Sequence, residues 1–346
     1  MGGTNSRLRS GVSDSANLDI LRSFAVMSVL SDHVLEAAGI KTGMCFHPLD
    51  WYLGRMGVLM FFVHTSLVLM HSLERLSVSK RRLLARFYVR RVFRIYPLSM
   101  VTVLGVVALS LPPMPWATFQ WHGYGNLASN LMLTMNFTRS TPVLNPLWSL
   151  PLEVQMYVVL PLVFLCLRGT RPVLAACTLW LLAVGVATVQ SGISDRLSVA
   201  QFAPCFMAGV IAYTVGRTNN LRLVGRLWPL AIVALIGFYL FFEEVDSQIH
   251  SPMLGWFFCL ALGSAIPFFK DLPGGLFAKV GRIVARYSYG IYLLHIVALW
   301  GGLFALQHSP LLLQVIVSTV LLVALPVASY HLVEAPLIRV GRKLSD

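Results

Sequence analysis

Residues 18–39 read LDILRSFAVMSVLSDHVLEAAG, and the fold turns on them. A run of about 20 mostly apolar residues makes a helix long enough to cross a hydrocarbon core of roughly 30 Å. Yet this run keeps a guanidinium at Arg22 and an imidazole at His33. Ionisable side chains are costly in lipid, so within a spanning helix they turn to the bundle interior and mark function. Eleven residues at about 100° each return to within roughly 20° of the same face, some ~16 Å further along the axis. The helix therefore carries a cation near one end and a titratable ring near the other, on a single stripe.

The rest of the chain agrees with a membrane setting. Only 12% of its 346 residues are charged and 57% are hydrophobic, with a mean hydropathy of +0.73. A soluble domain carries about 25% charged residues, so too little polar surface remains to face water. Apolar segments at 18–38, 54–71, 96–111, 146–167, 172–190, 198–216, 227–242, 251–269, 287–306 and 310–331 predict an all-α polytopic membrane protein of about ten transmembrane helices. Residues 126–137, NLASNLMLTMNF, are too short to span and read as a re-entrant or interfacial segment. The polar start carries no cleavable signal pattern. The expected division is a cytoplasmic N-terminal tail at 1–17, a transmembrane domain at 18–331 and a cytoplasmic C-terminal tail at 332–346.

Orientation follows from the basic residues. With the N-terminus inside, only Lys41, Arg55, Arg139 and Arg196 of the 27 Lys and Arg fall outside, which satisfies the positive-inside rule for N-in and C-in termini. This distribution also disposes of nucleic acid as a partner, because the net charge of +13 is divided among several inner segments instead of forming one footprint. The five cysteines have no paired spacing, so neither a disulfide framework nor a metal site is expected.

Two further groups draw attention. Glu153, in NPLWSLPLEVQMYVVLPL, lies about two turns below the outer end of its helix, at a depth near that of His33. A carboxylate beside an imidazole fixes its tautomer and raises its basicity, as general-base activation of a hydroxyl requires. Asp32 and Glu36 are rival partners, Glu36 being one turn on and the better placed. His64, His71, His295 and His331 read as structural or interfacial. In SKRRLLARFYVRRVFRIYP, Arg91 and Arg94 share one helix face, where the third helix enters the membrane. Part of this basic stretch is topogenic and attracted to anionic membrane lipids. Two guanidinium forks at the membrane entrance also suit phosphate, such as that of cytoplasmic coenzyme A.

These residues resemble the membrane acyltransferase-3 family. The opening helix of that family has a basic residue, ten others and a His, met here by Arg22 and His33. GRMGVLMFFVHTSLVLM (54–70) resembles its second helix, and RFYVRRVFRIYPL (86–98) resembles its third with an Arg-x-x-Arg element at Arg91 and Arg94. PLWSLPLEVQMYVVLPL (146–162) resembles its Trp-Ser helix through Trp148, Ser149, Glu153, Gln155 and Tyr157. RYSYGIYLLHI (286–296) and SYHLVEAPLIRVGRKL (329–344) resemble its last helices. The second helix departs from the pattern, with His64, Thr65 and Ser66 where a Leu-Ser-Gly-Phe run is usual, and Pro151 falls inside the Trp-Ser element.

The resemblance implies an acyltransferase domain at 18–331 in the cell membrane, multi-pass, of the kind found in bacterial inner membranes. It would move an acyl group, usually acetyl, from cytoplasmic acyl-CoA to a hydroxyl of an extracytoplasmic sugar, glycan or glycolipid. His33 and Glu153 are the expected catalytic pair. Arg22, Arg91 and Arg94 are expected to hold acetyl-CoA, a donor substrate and not a tightly bound cofactor, and Asp32, Trp148 and Tyr157 to contact substrate. The sequence leaves a homo-oligomer open. The rival reading is a proton-coupled transporter or flippase, since intramembrane ionisable residues also mark ion paths.

Overall fold

The computed structural model describes residues 15–44, 49–77, 83–194, 196–246 and 252–345. The expected tail therefore lies outside them up to residue 14, as do Cys45, His47, Lys80, Arg81, Arg82 and His250. The long helices are α1 (Ala16–Thr42), α2 (Leu49–Ser77) and α3 (Leu83–Ala108). Two short helices come next, α4 (Gly123–Met132) and α5 (Met135–Thr138), then α6 (Leu150–Cys166), α7 (Pro172–Ile193), α8 (Val199–Thr218), α9 (Trp228–Asp246) and α10 (Met253–Ala265). The chain ends in α11 (Leu276–Leu299), α12 (Leu311–Ser329) and α13 (Ala335–Ser345).

Among the described residues, nine helices are long and apolar enough to cross a membrane, and Met253–Phe268 is a shorter apolar helix. The polar ties at the two ends of the bundle show that this short helix also runs its length. α9 starts at the end that holds the N-terminus of α1, where Trp228 donates its indole N–H to Asn17 O at 2.9 Å. It finishes at the opposite end, where Glu243 takes a 2.9 Å bond from Arg55. α10 begins there, with Trp256 donating to Gln201 O, and the chain after it returns to Asn17, whose amide donates to Lys270 O at 2.9 Å. Among the described residues the bundle is thus passed ten times, by the nine longer helices and by this shorter one. Both described chain ends lie at one end of it, the proximal end; the other is the distal end.

Burial separates hub from periphery. In α2, 78% of the membrane window is buried in protein, against 17% in α7 and in the Leu311–Ser345 span that begins as α12. The outward apolar residues of those two, such as Leu181, Val186, Leu312 and Val320, suit lipid. α2 packs on α1, α6, α8 and α10, and small residues let the backbones close up. A Cβ on Gly57 would stand 2.6 Å from Ala25 O of α1, the small-residue contact typical of membrane helices.

Two boundaries differ from the hydropathy reading. α3 starts at Leu83, not near 96, because Arg is a good helix former and the basic stretch continues the helix. The C-terminal tail is helical as well. α12 passes through a π-helical turn, Tyr330–Glu334, into α13, which packs on α3. The segment at 126–137 covers most of α4 and α5, broken at Leu133 with φ 55°, and neither helix has the length to span.

Candidate active site

α1 carries Arg22 and His33 into two different cavities. The proximal one, about 90 Å³, is lined by Arg22, His64, Arg91, Arg94, Glu153 and Tyr157 among others. The distal one, about 620 Å³, is lined by Asp32, His33, Glu36, Arg55, Trp148 and Gln201 with their neighbours. Both ends of the α1 stripe therefore face the interior, as the helical arithmetic requires.

The expected pairing of His33 with Glu153 does not form. His33 Nδ1 lies 3.4 Å from Glu36 Oε2 and 3.6 Å from Asp32 Oδ2, while Glu153 stands in the proximal cavity and accepts the Tyr157 hydroxyl at 2.6 Å. The depth match does not hold, since Glu153 lies with Arg22 at the proximal cavity and His33 at the distal one. The helices also differ in neighbours, α1 packing mainly on α2 and α11 and α6 on α2, α8 and α3. With Nδ1 turned to carboxylates, Nε2 is the ring nitrogen left for chemistry. The His33 ring also stacks on His295, centroids 5.0 Å apart and planes 19° from parallel. His295 is 1% exposed; its Nδ1 lies 3.0 Å from Ile291 O and its buried Nε2 has no hydrogen-bond partner.

In the proximal cavity the three guanidinium groups differ. Arg22 Nε donates to Ser288 Oγ at 2.5 Å. Arg94 is committed to a buried carboxylate, Glu334, at 3.0 Å, with its guanidinium carbon 5.9 Å from the Tyr289 ring centre. Arg91 lies over Phe87, and its Nε has no hydrogen-bond partner. Of the residues expected to contact substrate, Asp32 and Trp148 line the distal cavity with His33, whereas Tyr157 lines the proximal one.

Several residues of the two cavities are not evident from sequence. His64, which reads as structural, is 6% exposed and lines the proximal cavity. Arg55, which reads only as a charge at the outer end, lines the distal cavity and pairs with Glu243 at 2.9 Å. Glu334 falls in the expected tail. His64 has one sequence signal, its place in the departure from the second-helix pattern; the other two have none, because their partners are 188 and 240 residues away.

Comparison with known proteins decides the family. The acyltransferase-3 family, described as an acyltransferase domain, matches residues 15–331. The chain belongs to that family. It is also similar to Acyltransferase MdmB of Streptomyces mycarofaciens, 25% identical over 316 residues, covering 82% of this chain and 78% of that protein. No solved structure matches it. The chain is thus a multi-pass membrane protein and an acyltransferase, with one cavity that collects guanidinium groups and a second that presents an imidazole.

Proposed function

We propose that the protein transfers an acetyl group from cytoplasmic acetyl-CoA to a hydroxyl of an extracytoplasmic sugar, glycan or glycolipid, from a bacterial inner membrane with both termini inside. One observation carries this reading: a guanidinium-lined cavity and an imidazole-bearing cavity lie at successive depths of one bundle and share Val58 and Tyr292 as lining. That suits two substrates arriving from opposite faces.

The donor's phosphates collect at the proximal mouth beside Arg91 and Arg22, with Arg94 held by Glu334. The narrow thioester-bearing arm enters the smaller cavity. In the distal cavity, His33 Nε2 takes the proton of the acceptor hydroxyl as its oxygen adds to the thioester carbonyl. The C–S bond breaks and the coenzyme thiol leaves with a proton. Glu36 and Asp32, at Nδ1, stabilise the imidazolium formed in passing. A cavity of about 620 Å³ lies within the range of small-molecule sites, roughly 300–1,000 Å³. Its Asn145 and Gln201 amides beside the Trp148 and Phe202 rings match the mixed hydroxyl and C–H surface of a sugar.

The test compares surface glycans by mass spectrometry in cells with and without the gene, and in cells carrying His33→Ala or Arg91→Ala. Loss of one acetyl mass is expected without the gene and with His33→Ala; Arg91→Ala should weaken acetyl-CoA binding by the purified protein. Full acetylation with His33→Ala, or a protein that binds no acetyl-CoA, would overturn the proposal.

A further inference from the structure

Tyr292 stands where the two cavities meet. It lines both, together with Val58, and is 6% exposed. Its position is fixed at each end of the side chain. The ring packs edge-on against Phe61 of α2, centroids 5.7 Å apart. The hydroxyl donates to Pro146 O at 2.9 Å and lies 2.7 Å from Ser149 Oγ. A phenol has one proton; with that given to Pro146 O, the Ser149 hydroxyl is the donor in the second bond. Tyr292 thereby latches α11 to the 3₁₀ turn Asn145–Ser149, the turn that brings Asn145 and Trp148 to the distal cavity and Ser149 to the proximal one.

From this geometry we infer that Tyr292 is a specificity-determining residue, the partition that decides whether the acyl group reaches a sugar or is lost to water. The inference rests on the acetyl transfer already proposed for the two cavities. A thioester waiting among the guanidinium groups is one ring away from a wide, polar distal cavity. If water reached it, a water oxygen would add to the carbonyl carbon, the C–S bond would break, and acetate, free coenzyme thiol and a proton would leave. Val58 has no hydrogen-bonding group to close such a gap; Tyr292 has a broad ring and a latched hydroxyl. Productive transfer then requires the latch to open, the ring to swing and the thioester carbon to move up to His33 Nε2.

The test has a chemical and a physical arm, both on the full chain in sealed vesicles. With [14C]acetyl-CoA and no acceptor, Tyr292→Ala should release acetate on the order of tenfold faster than the wild type, since exclusion of water is what suppresses this side reaction, with little change in acetyl-CoA affinity. Tyr292→Phe, which keeps the ring and loses the latch, should leak to an intermediate degree. Independently of any substrate, Thr65→Cys places a thiol in the proximal cavity. A membrane-impermeant methanethiosulfonate added from the distal side should modify that cysteine, read by peptide mass spectrometry, only when Tyr292 is also shortened. Equal acetate release and equal labelling with and without Tyr292 would overturn the partition while leaving acyl transfer intact. A wild-type protein that binds no acetyl-CoA would sink both.

Discussion

The Arg94–Glu334 pair sets the structure against the simplest reading of the Arg-x-x-Arg element. Glu334 is 2% exposed; its Oε2 accepts from Arg94 at 3.0 Å and its Oε1 has no hydrogen-bond partner. Arg94→Ala therefore strands a carboxylate with neither oxygen bonded. Removing one member of a buried pair costs about 3–5 kcal/mol. The Arg94 side chain is 24% exposed, so water already screens part of the attraction and the lower end, about 3 kcal/mol, is expected. Glu334→Ala alone leaves a guanidinium that still reaches solvent and the Tyr289 ring, and should cost less. The double variant removes the stranded charge as well as its partner, so its loss should fall short of the sum of the singles by about 2 kcal/mol. Equilibrium unfolding in mixed micelles with rising dodecyl sulfate, followed by tryptophan fluorescence, measures all four corners of the cycle. Losses that add within about 0.5 kcal/mol, together with a fall in acetyl-CoA affinity for Arg94→Ala alone, would refute the reasoning. Arg94 would then be a free phosphate ligand and not a strut between α3 and the π-helical turn.

Two other substitutions probe the surroundings of His33. A Cβ at Gly54 would fall on the Asp32 carboxylate, 2.6 Å from its Cγ, so Gly54→Ala should push Asp32 away from His33 and slow the proposed acetyl transfer on the order of tenfold, the usual cost of misplacing a supporting group by a fraction of an ångström. An unchanged rate of acyl transfer would show that Asp32 has no part in orienting the imidazole. At His295, Phe should preserve the stack and keep acyl transfer within about threefold, whereas Ala should lower it by about tenfold or more. A Phe variant as inactive as Ala would show that the ring nitrogens, not the ring face, serve His33.

Whatever depends on one helix at a time is legible in the sequence. Hydropathy locates the ten passes, and an eleven-residue interval places Arg22 and His33 on one inward stripe, because length and periodicity are local properties. Pairings between helices depend on azimuth and neighbour order, which no composition encodes. Hence counting turns on each helix alone puts Glu153 level with His33, which the structure places in separate cavities, and nothing local points to His295, 262 positions away. Glu334 is hidden for a second reason. It closes a π-helical turn, and the extra residue in such a turn rotates the residues after it by about 100° relative to a 3.6-residue wheel. The basic start of α3 falls outside the apolar segment at 96–111 because charge lowers hydropathy without lowering helix propensity.

The Trp-Ser helix shows why a contiguous motif does not mark a single site. From Trp148 to Tyr157 the chain advances roughly 13 Å, nearly the interval that separates Arg22 from His33. α1 and α6 run in opposite senses through the bundle, so the two stripes lie level but reversed. Trp148 shares the distal cavity with His33, and Glu153 and Tyr157 share the proximal one with Arg22. Between them Ser149 meets the Tyr292 hydroxyl, at the depth where the cavities join. A motif that spans both cavities and contributes to the boundary is what a two-substrate site needs if neither substrate crosses the membrane whole. A transporter, by contrast, needs a single site that alternates between faces, and it would gain nothing from guanidinium groups at one depth and an imidazole at another.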